Sequence, residues 1–135
     1  MWAVVSNWRA PFITASETPV AVLSVSGEGI EGAKRVLSLL PDLANPALQF
    51  HEELVRLDTA GKSFSYRFWN GSEAAGGSPF PVEKYGGTVT VTPEGDGCKV
   101  HWIGWFDVVA GNEAPDISGL YAGFIAGAAD MARKA

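Results

Sequence analysis

The chain predicts an α+β fold, a curved antiparallel sheet of about six strands wrapped around one long C-terminal helix. Two observations carry this expectation. Between Phe50 and Val108, four strand-like runs follow one another with large apolar and aromatic side chains on one face. After them Ile117, Leu120, Tyr121, Phe124, Ala128 and Met131 recur at spacings of three and four, which sets an apolar stripe on a helix. The 135 residues make one domain, residues 1–135, long enough to bury a core without disulfides or metals.

Each element follows from local signals. Residues 1–8 are short and apolar and read as a brief helix that Pro11 stops. Residues 12–17 read as irregular. Residues 19–26 are rich in Val and small residues, a strand candidate without clean alternation. Gly27, Glu28 and Gly29 form a turn, and residues 33–39 are a second strand before a loop bounded by Pro41 and Pro46. Residues 49–57 form a strand that ends in Asp58, Thr59, Ala60 and Gly61, a turn signal. In residues 62–69, Phe64, Tyr66 and Phe68 share one face, while Ser63, Ser65 and Arg67 share the other. Residues 70–81 are a long Gly/Ser/Pro loop. In residues 86–92, Gly87, Val89 and Val91 alternate with threonines. Residues 93–97 (PEGDG) are a hairpin turn. The last strand, residues 99–108, carries Val100, Trp102, Gly104 and Phe106 on one face. Pro115 and Asp116 suit a helix start, so the helix is expected to open there and run to the C-terminus.

Composition narrows the function. The net charge of −5 argues against a nucleic-acid groove or an anionic membrane surface as the main partner. One cysteine, Cys98, excludes an internal disulfide framework, and no motif ties it to His51 or His101 as a nucleophile. No basic, apolar leader opens the chain and no run is long and apolar enough to span a membrane, so the default compartment is the cytoplasm. No His/Cys/carboxylate cluster has metal spacing, and Gly27, Gly29 and Gly32 do not precede a helix as a phosphate loop would. Hence no metal or other cofactor is expected. His51 and His101 fall on the outward face by alternation. A curved sheet with an aromatic inner face, closed by a helix, is the plan of a protein that encloses a small hydrophobic molecule.

Several local signatures occur in a telling order: WAVVSNW near the start, GIEGAKRVL, EELVRLD, KSFSYRF, PVEKYGGTVTVTPEGDGCKVHWIGWFDV and the closing amphipathic helix. In these the chain resembles the polyketide cyclase/dehydrase-like branch of the START and birch-pollen-allergen (SRPBCC) superfamily, which shares the helix-grip fold. Plant abscisic-acid receptors are distant relatives. The resemblance implies a sheet gripping the C-terminal helix with a ligand cavity between them. It also implies a first strand upstream of the WAVVS-like helix, whereas this chain starts inside that helix. Residues 99–108 are then an edge strand carrying Trp102, Ile103, Trp105 and Phe106, a template for pairing with another chain, and a homodimer through that edge is expected.

The resemblance places the ligand-binding residues on the face toward the helix. From the strands these are Arg35, Leu37, Leu39, Glu52, Leu54, Phe64, Tyr66, Phe68, Tyr85, Gly87, Val89, Trp102, Gly104 and Phe106; from the helix, Tyr121 and Phe124. Most of these residues would equally suit an ordinary core. Gly87 and Gly104 favour a cavity, because glycine inside a strand marks close approach of a ligand or of a backbone. Gly119, Gly123 and Gly127 at spacing four suit either close helix packing or space-making. Glu52 is a carboxylate in an apolar setting, raised in pKa by burial unless Arg35 pairs with it. Tyr66 and Tyr85 offer hydroxyls to orient a carbonyl or phenol. Two loops, 39–46 and 70–81, stand where relatives gate a cavity. The first functional expectation is binding of a small aromatic, polyketide-like or lipidic molecule. The second is a cyclase/dehydratase-type enzyme using Glu52 with Tyr66 or Tyr85 as acid and base. The third is an interaction module acting through edge strand 99–108.

Overall fold

A computed structural model describes residues 1–39, 49–68, 82–108 and 110–134. Its elements run α1 (Trp2–Val5), α2 (Pro11–Ala15), β1 (Val20–Ser26), β2 (Lys34–Leu39), β3 (Gln49–Asp58), β4 (Ser63–Phe68), β5 (Val82–Glu94), β6 (Gly97–Val108) and α3 (Ser118–Lys134). The strands form one six-stranded antiparallel sheet in the order β1-β2-β3-β4-β5-β6. Every neighbour in space is thus a neighbour in sequence, and β1 and β6 are its two edges. Helices α2 and α3 pack on the concave face: Phe12 meets Trp102 edge-on, and Trp102 stacks on Tyr121. Among the described residues no helix is long and apolar enough to cross a membrane.

The proline at position 11 does the reverse of what was expected. It stands at the first position of α2, where its missing N–H costs nothing, and Ala10 before it turns left-handed at φ 46°. The segment read as irregular therefore holds a short helix that buries Phe12 and Ile13. The long helix α3 also starts later than expected, at Ser118. Asp116 remains outside and accepts bonds from the Ser118 hydroxyl and the Gly119 N–H, as a capping side chain does. These bonds hold its carboxyl below the usual carboxylate range.

Three bulges curve the sheet. In β3 the register slips between Leu54 and Arg56, so Val55 is pushed outward and Leu57 returns to the inner side. In β5 it slips between Glu83 and Gly86, where Lys84 sits at φ 54°. Val82 and Tyr85, three apart, therefore both face the core. The strand also reaches further than the alternation of residues 86–92 shows, from Val82 to Glu94. The β5–β6 turn is only Gly95 and Asp96, with Gly95 at positive φ in the first central position, the pattern of a type II′ hairpin. The two loops expected to gate a cavity fall largely on residues 40–48 and 69–81, outside the described residues.

Candidate functional site

The inner face of the sheet is where the polar exceptions gather. Arg35 on β2 and Glu52 on β3 are directly opposite cross-strand partners. Both are buried, and Arg35 Nε donates to Glu52 Oε1 at 2.9 Å. Arg35 Nη1 donates to the Trp8 carbonyl at 3.3 Å, and its guanidinium lies 3.9 Å from the centre of the Trp8 ring. The arginine is thus held by a carboxylate, a carbonyl and an aromatic face. Burial pushes the Glu52 carboxyl up, and the Arg35 charge and hydrogen bond pull it back without cancelling that rise.

All three tyrosines of the chain meet beside this pair. Tyr66 is the hub. Its hydroxyl accepts from Trp102 Nε1 at 2.8 Å and donates to the Tyr121 hydroxyl at 3.4 Å. The Tyr85 hydroxyl is also 3.4 Å away. Burial drives the Tyr66 phenol well above its ordinary pKa, with Tyr85 and the Glu52 charge adding to the rise. Burial likewise raises Tyr85. Both hydroxyls therefore keep their protons at neutral pH and act as donors or acceptors, not as phenolates.

These groups line a cavity of about 40 Å³ between the sheet and α3. Its wall brings together Arg35, Leu37, Glu52, Tyr66, Phe68, Tyr85, Trp102, Tyr121 and Phe124, nine of the residues named from sequence. Ile13, Val20, Phe50, Ile117 and Leu120 complete it. Ile13 was hidden in the segment misread as irregular. Phe50 shares the face of Glu52 by alternation, and Ile117 and Leu120 lie on the apolar stripe of α3, so their signal was present. The remaining sequence candidates lie elsewhere. Leu54, Phe64 and Val89 are buried core residues outside the cavity wall, and Leu39 packs half-buried at the end of β2. Phe106 and Gly104 line a separate groove beside β6.

The inward glycines also have a different role from the one expected. A Cβ at Gly87 would meet the Tyr66 hydroxyl and lie 2.6 Å from Cζ; one at Gly104 would meet the Tyr121 hydroxyl. The space they leave is taken by tyrosine hydroxyl ends. Two of the three helix glycines act in packing: a Cβ at Gly127 would lie 2.8 Å from the Phe12 carbonyl, and one at Gly123 would lie 2.5 Å from Thr18 Cγ2, whereas one at Gly119 would come no closer than 3.5 Å to Asp116. A cavity of about 40 Å³ holds a few waters, since one water needs roughly 10–15 Å³ counted this way. Small-molecule pockets typically span about 300–1,000 Å³. The site is therefore a closed one, with its polar groups assembled and its volume filled by the residues that line it. Among the described residues no group of His, Cys, Asp and Glu is placed to hold a metal ion. His101 is exposed, and His51, on the same outward phase of its strand, is half-buried.

Residues 1–135 match the family model described as polyketide cyclase / dehydrase and lipid transport. The chain belongs to this family. The family implies a cavity for a hydrophobic ligand. Solved structures agree on the fold. Norcoclaurine synthase from Thalictrum flavum is 16% identical, with a TM-score of 0.65 over 99% of this chain and 78% of that one. A protein from Nitrosospira multiformis is also 16% identical, at TM-score 0.67 over 96% of this chain and 83% of that one. A protein from Thermobifida fusca is 22% identical, at TM-score 0.59 over 81% of this chain, and the match spans 65% of that chain. No curated protein matches the sequence. At such identities the likeness to solved structures establishes the helix-grip fold and leaves the ligand to the chemistry of the site.

Proposed function

We propose that this polyketide cyclase-family chain binds a small aromatic molecule carrying a hydroxyl or carbonyl group, between the sheet and α3. One observation carries the reading. Three tyrosine hydroxyls and the Arg35–Glu52 pair converge on a cavity otherwise walled by rings and aliphatic side chains. A purely packed core has little use for five polar groups on one concave surface, because burying each costs free energy that only a good partner returns. The hydroxyl contacts at 3.4 Å are long, so these groups have bonding capacity left for a ligand. A similar structure holds norcoclaurine synthase in complex with dopamine and hydroxybenzaldehyde, which makes aromatic probes a reasonable first choice.

The test is titration with 2-naphthol and with naphthalene, followed by calorimetry and by tryptophan fluorescence. Naphthol is expected to bind one to one, about fivefold tighter than naphthalene, because one hydrogen bond to a buried partner is worth about 1 kcal/mol. Leu120→Trp, which adds bulk at the half-buried rim, should abolish binding of both. Equal affinity for the two probes, or binding that survives Leu120→Trp, would remove the reading.

A second reading is proton transfer, with Glu52 as acid or base beside Tyr66 or Tyr85. It is favoured by the raised pKa of a carboxyl that lines the cavity. Glu52→Gln separates the two: it spares binding in the first reading and ends turnover in the second.

A further inference from the structure

The contact between Arg35 and Glu52 is half of the one these groups can make. Nε and Nη2 of a guanidinium lie side by side and commonly grip both oxygens of a carboxylate. Here only the bond from Nε to Oε1 is made, at 2.9 Å. Nη1 is turned to the Trp8 carbonyl. Arg35 Nη2 and Glu52 Oε2 have no hydrogen-bond partner among the described residues. Neither atom is sealed off as Trp8 Nε1 is, so each keeps open space beside it, and the space that both side chains line is the cavity. Arg35 is 3% exposed and Glu52 8%, so little of either meets bulk solvent. The guanidinium is also fixed before any ligand arrives, with the Trp8 ring 3.9 Å and the Tyr66 ring 5.7 Å away. A charged donor and a charged acceptor thus stand next to each other, already oriented, on the wall of the cavity.

We propose that this pair reads two adjacent oxygens of a neutral ligand, one donating its hydrogen to Glu52 Oε2 and the other accepting from Arg35 Nη2. The ligand class is an aromatic ortho-diol or ortho-hydroxy carbonyl. The inference rests on the reading of the cavity as an aromatic-ligand site and names what that ligand carries. Charge selects against the other classes. The pair is neutral as a whole, so an anion gains from Arg35 and loses to Glu52, and a cation does the reverse. Burial already raises the Glu52 carboxyl, and a second negative charge beside it would add to that cost. A single hydroxyl fills one position and leaves the other charged atom desolvated without a partner. The tyrosines do not offer the same pairing. A hydroxyl donates and accepts at one atom, and that of Tyr66 already takes the Trp102 N–H and gives to Tyr121. Oxygens on neighbouring ring carbons therefore match the site, and oxygens far apart on the ring do not.

Calorimetric titration of the full chain with a naphthalene series tests it. 2-Naphthol sets the baseline, since its binding is what the aromatic reading requires. 2,3-Dihydroxynaphthalene should bind about tenfold tighter, because a hydrogen bond to a charged group adds about that factor. 2,7-Dihydroxynaphthalene carries the same groups set apart and should stay close to 2-naphthol. 3-Hydroxy-2-naphthoate puts an anion beside Glu52 and should bind about tenfold weaker than the 2,3-diol. On the protein side, Glu52→Gln must turn its amide oxygen to Arg35 Nε, so an N–H donor takes the place of Oε2. The ratio of 2,3-diol to 2-naphthol affinity should then fall to about one. Tyr121→Phe removes a hydroxyl outside the pair and should leave that ratio near tenfold. A role for Glu52 in stability alone would lower both affinities and keep the ratio. The ligand series on the wild type stands even where a variant does not fold. If 2-naphthol binds and the two diols are equal, or the naphthoate is the tightest, this inference falls and the aromatic reading stays. A ratio unchanged in Glu52→Gln overturns it equally. If no naphthalene binds, the aromatic reading falls and this inference falls with it.

Discussion

Two glycines that look alike in sequence are expected to respond differently to the same rescue. Gly104 and Gly87 face each other across β5 and β6, and each faces a tyrosine. A Cβ at position 104 would overlap the Tyr121 hydroxyl but lie 3.2 Å from Cε2 and Cζ, which a shift of a few tenths of an ångström relieves. A Cβ at position 87 would overlap the Tyr66 hydroxyl and also lie 2.6 Å from Cζ and 2.9 Å from Cε1. Overpacking a filled site costs about 1–3 kcal/mol. Gly104→Ala is therefore expected to destabilise by about 1–2 kcal/mol, and Gly87→Ala by about 2–3 kcal/mol. Deleting the Tyr121 hydroxyl removes the only severe clash at 104, so Gly104→Ala/Tyr121→Phe should be no less stable than Tyr121→Phe alone. Deleting the Tyr66 hydroxyl leaves the ring carbons in place, so Gly87→Ala/Tyr66→Phe should stay close to additive. Urea unfolding of the two double-mutant cycles reads both coupling energies directly. Equal coupling in the two cycles would refute the account of how these glycines are used.

Further expectations concern the buried ion pair. Arg35→Ala should cost about 3–5 kcal/mol, since it strands a buried carboxylate, whereas Arg35→Met with Glu52→Leu should recover most of that loss; thermal unfolding of the three proteins checks it. Glu52 has a folded-state pKa above its ordinary 4.5, so its protonated form favours folding. The stability it contributes is complete below pH 4.5 and is lost as pH rises through the raised value. Denaturant midpoints of the wild type should therefore fall relative to Glu52→Gln across that window, and parallel pH profiles would contradict the sign.

The strand order and inner faces were legible because each strand carries its own alternation, and a meander needs no long-range decision. Phe64, Tyr66 and Phe68 fall on the inner face of β4, and Val100, Trp102, Gly104 and Phe106 on that of β6, as their spacing states. What escaped was non-periodic. Pro11 ends or begins a helix according to whether the residues before it or after it find a core, and Phe12 and Ile13 decided that through tertiary contacts. The bulges at Val55 and Lys84 shift the phase without any composition signal that separates them from regular strand. The site was legible as a set of residues and not as a volume. Alternation says which side chains point inward, whereas cavity size depends on rotamers. Gly104 suggested a vacancy that a tyrosine from α3, 17 residues further along the chain, fills.

That closure has a consequence for binding. A ring system cannot enter about 40 Å³, so the form that accepts it must move part of the wall. Tyr66, Tyr85 and Trp102 stand on paired strands and brace one another through the hub hydroxyl. Tyr121 is the freer member. It sits in the first turns of α3, holds the hub through one long bond, and borders the open groove beside β6. Its hydroxyl rests over Gly104 in the closed form. A methyl group at position 104 penalises that form specifically and leaves a form with Tyr121 displaced untouched. Gly104→Ala should thus lower the stability of the free protein and tighten binding of 2-naphthol. A penalty of about 1.4 kcal/mol on the closed form corresponds to about a tenfold gain in apparent affinity while that form dominates. Calorimetry on the single variant decides the matter. Unchanged or weaker binding would mean that Tyr121 is part of the ligand's wall and that the cavity opens elsewhere.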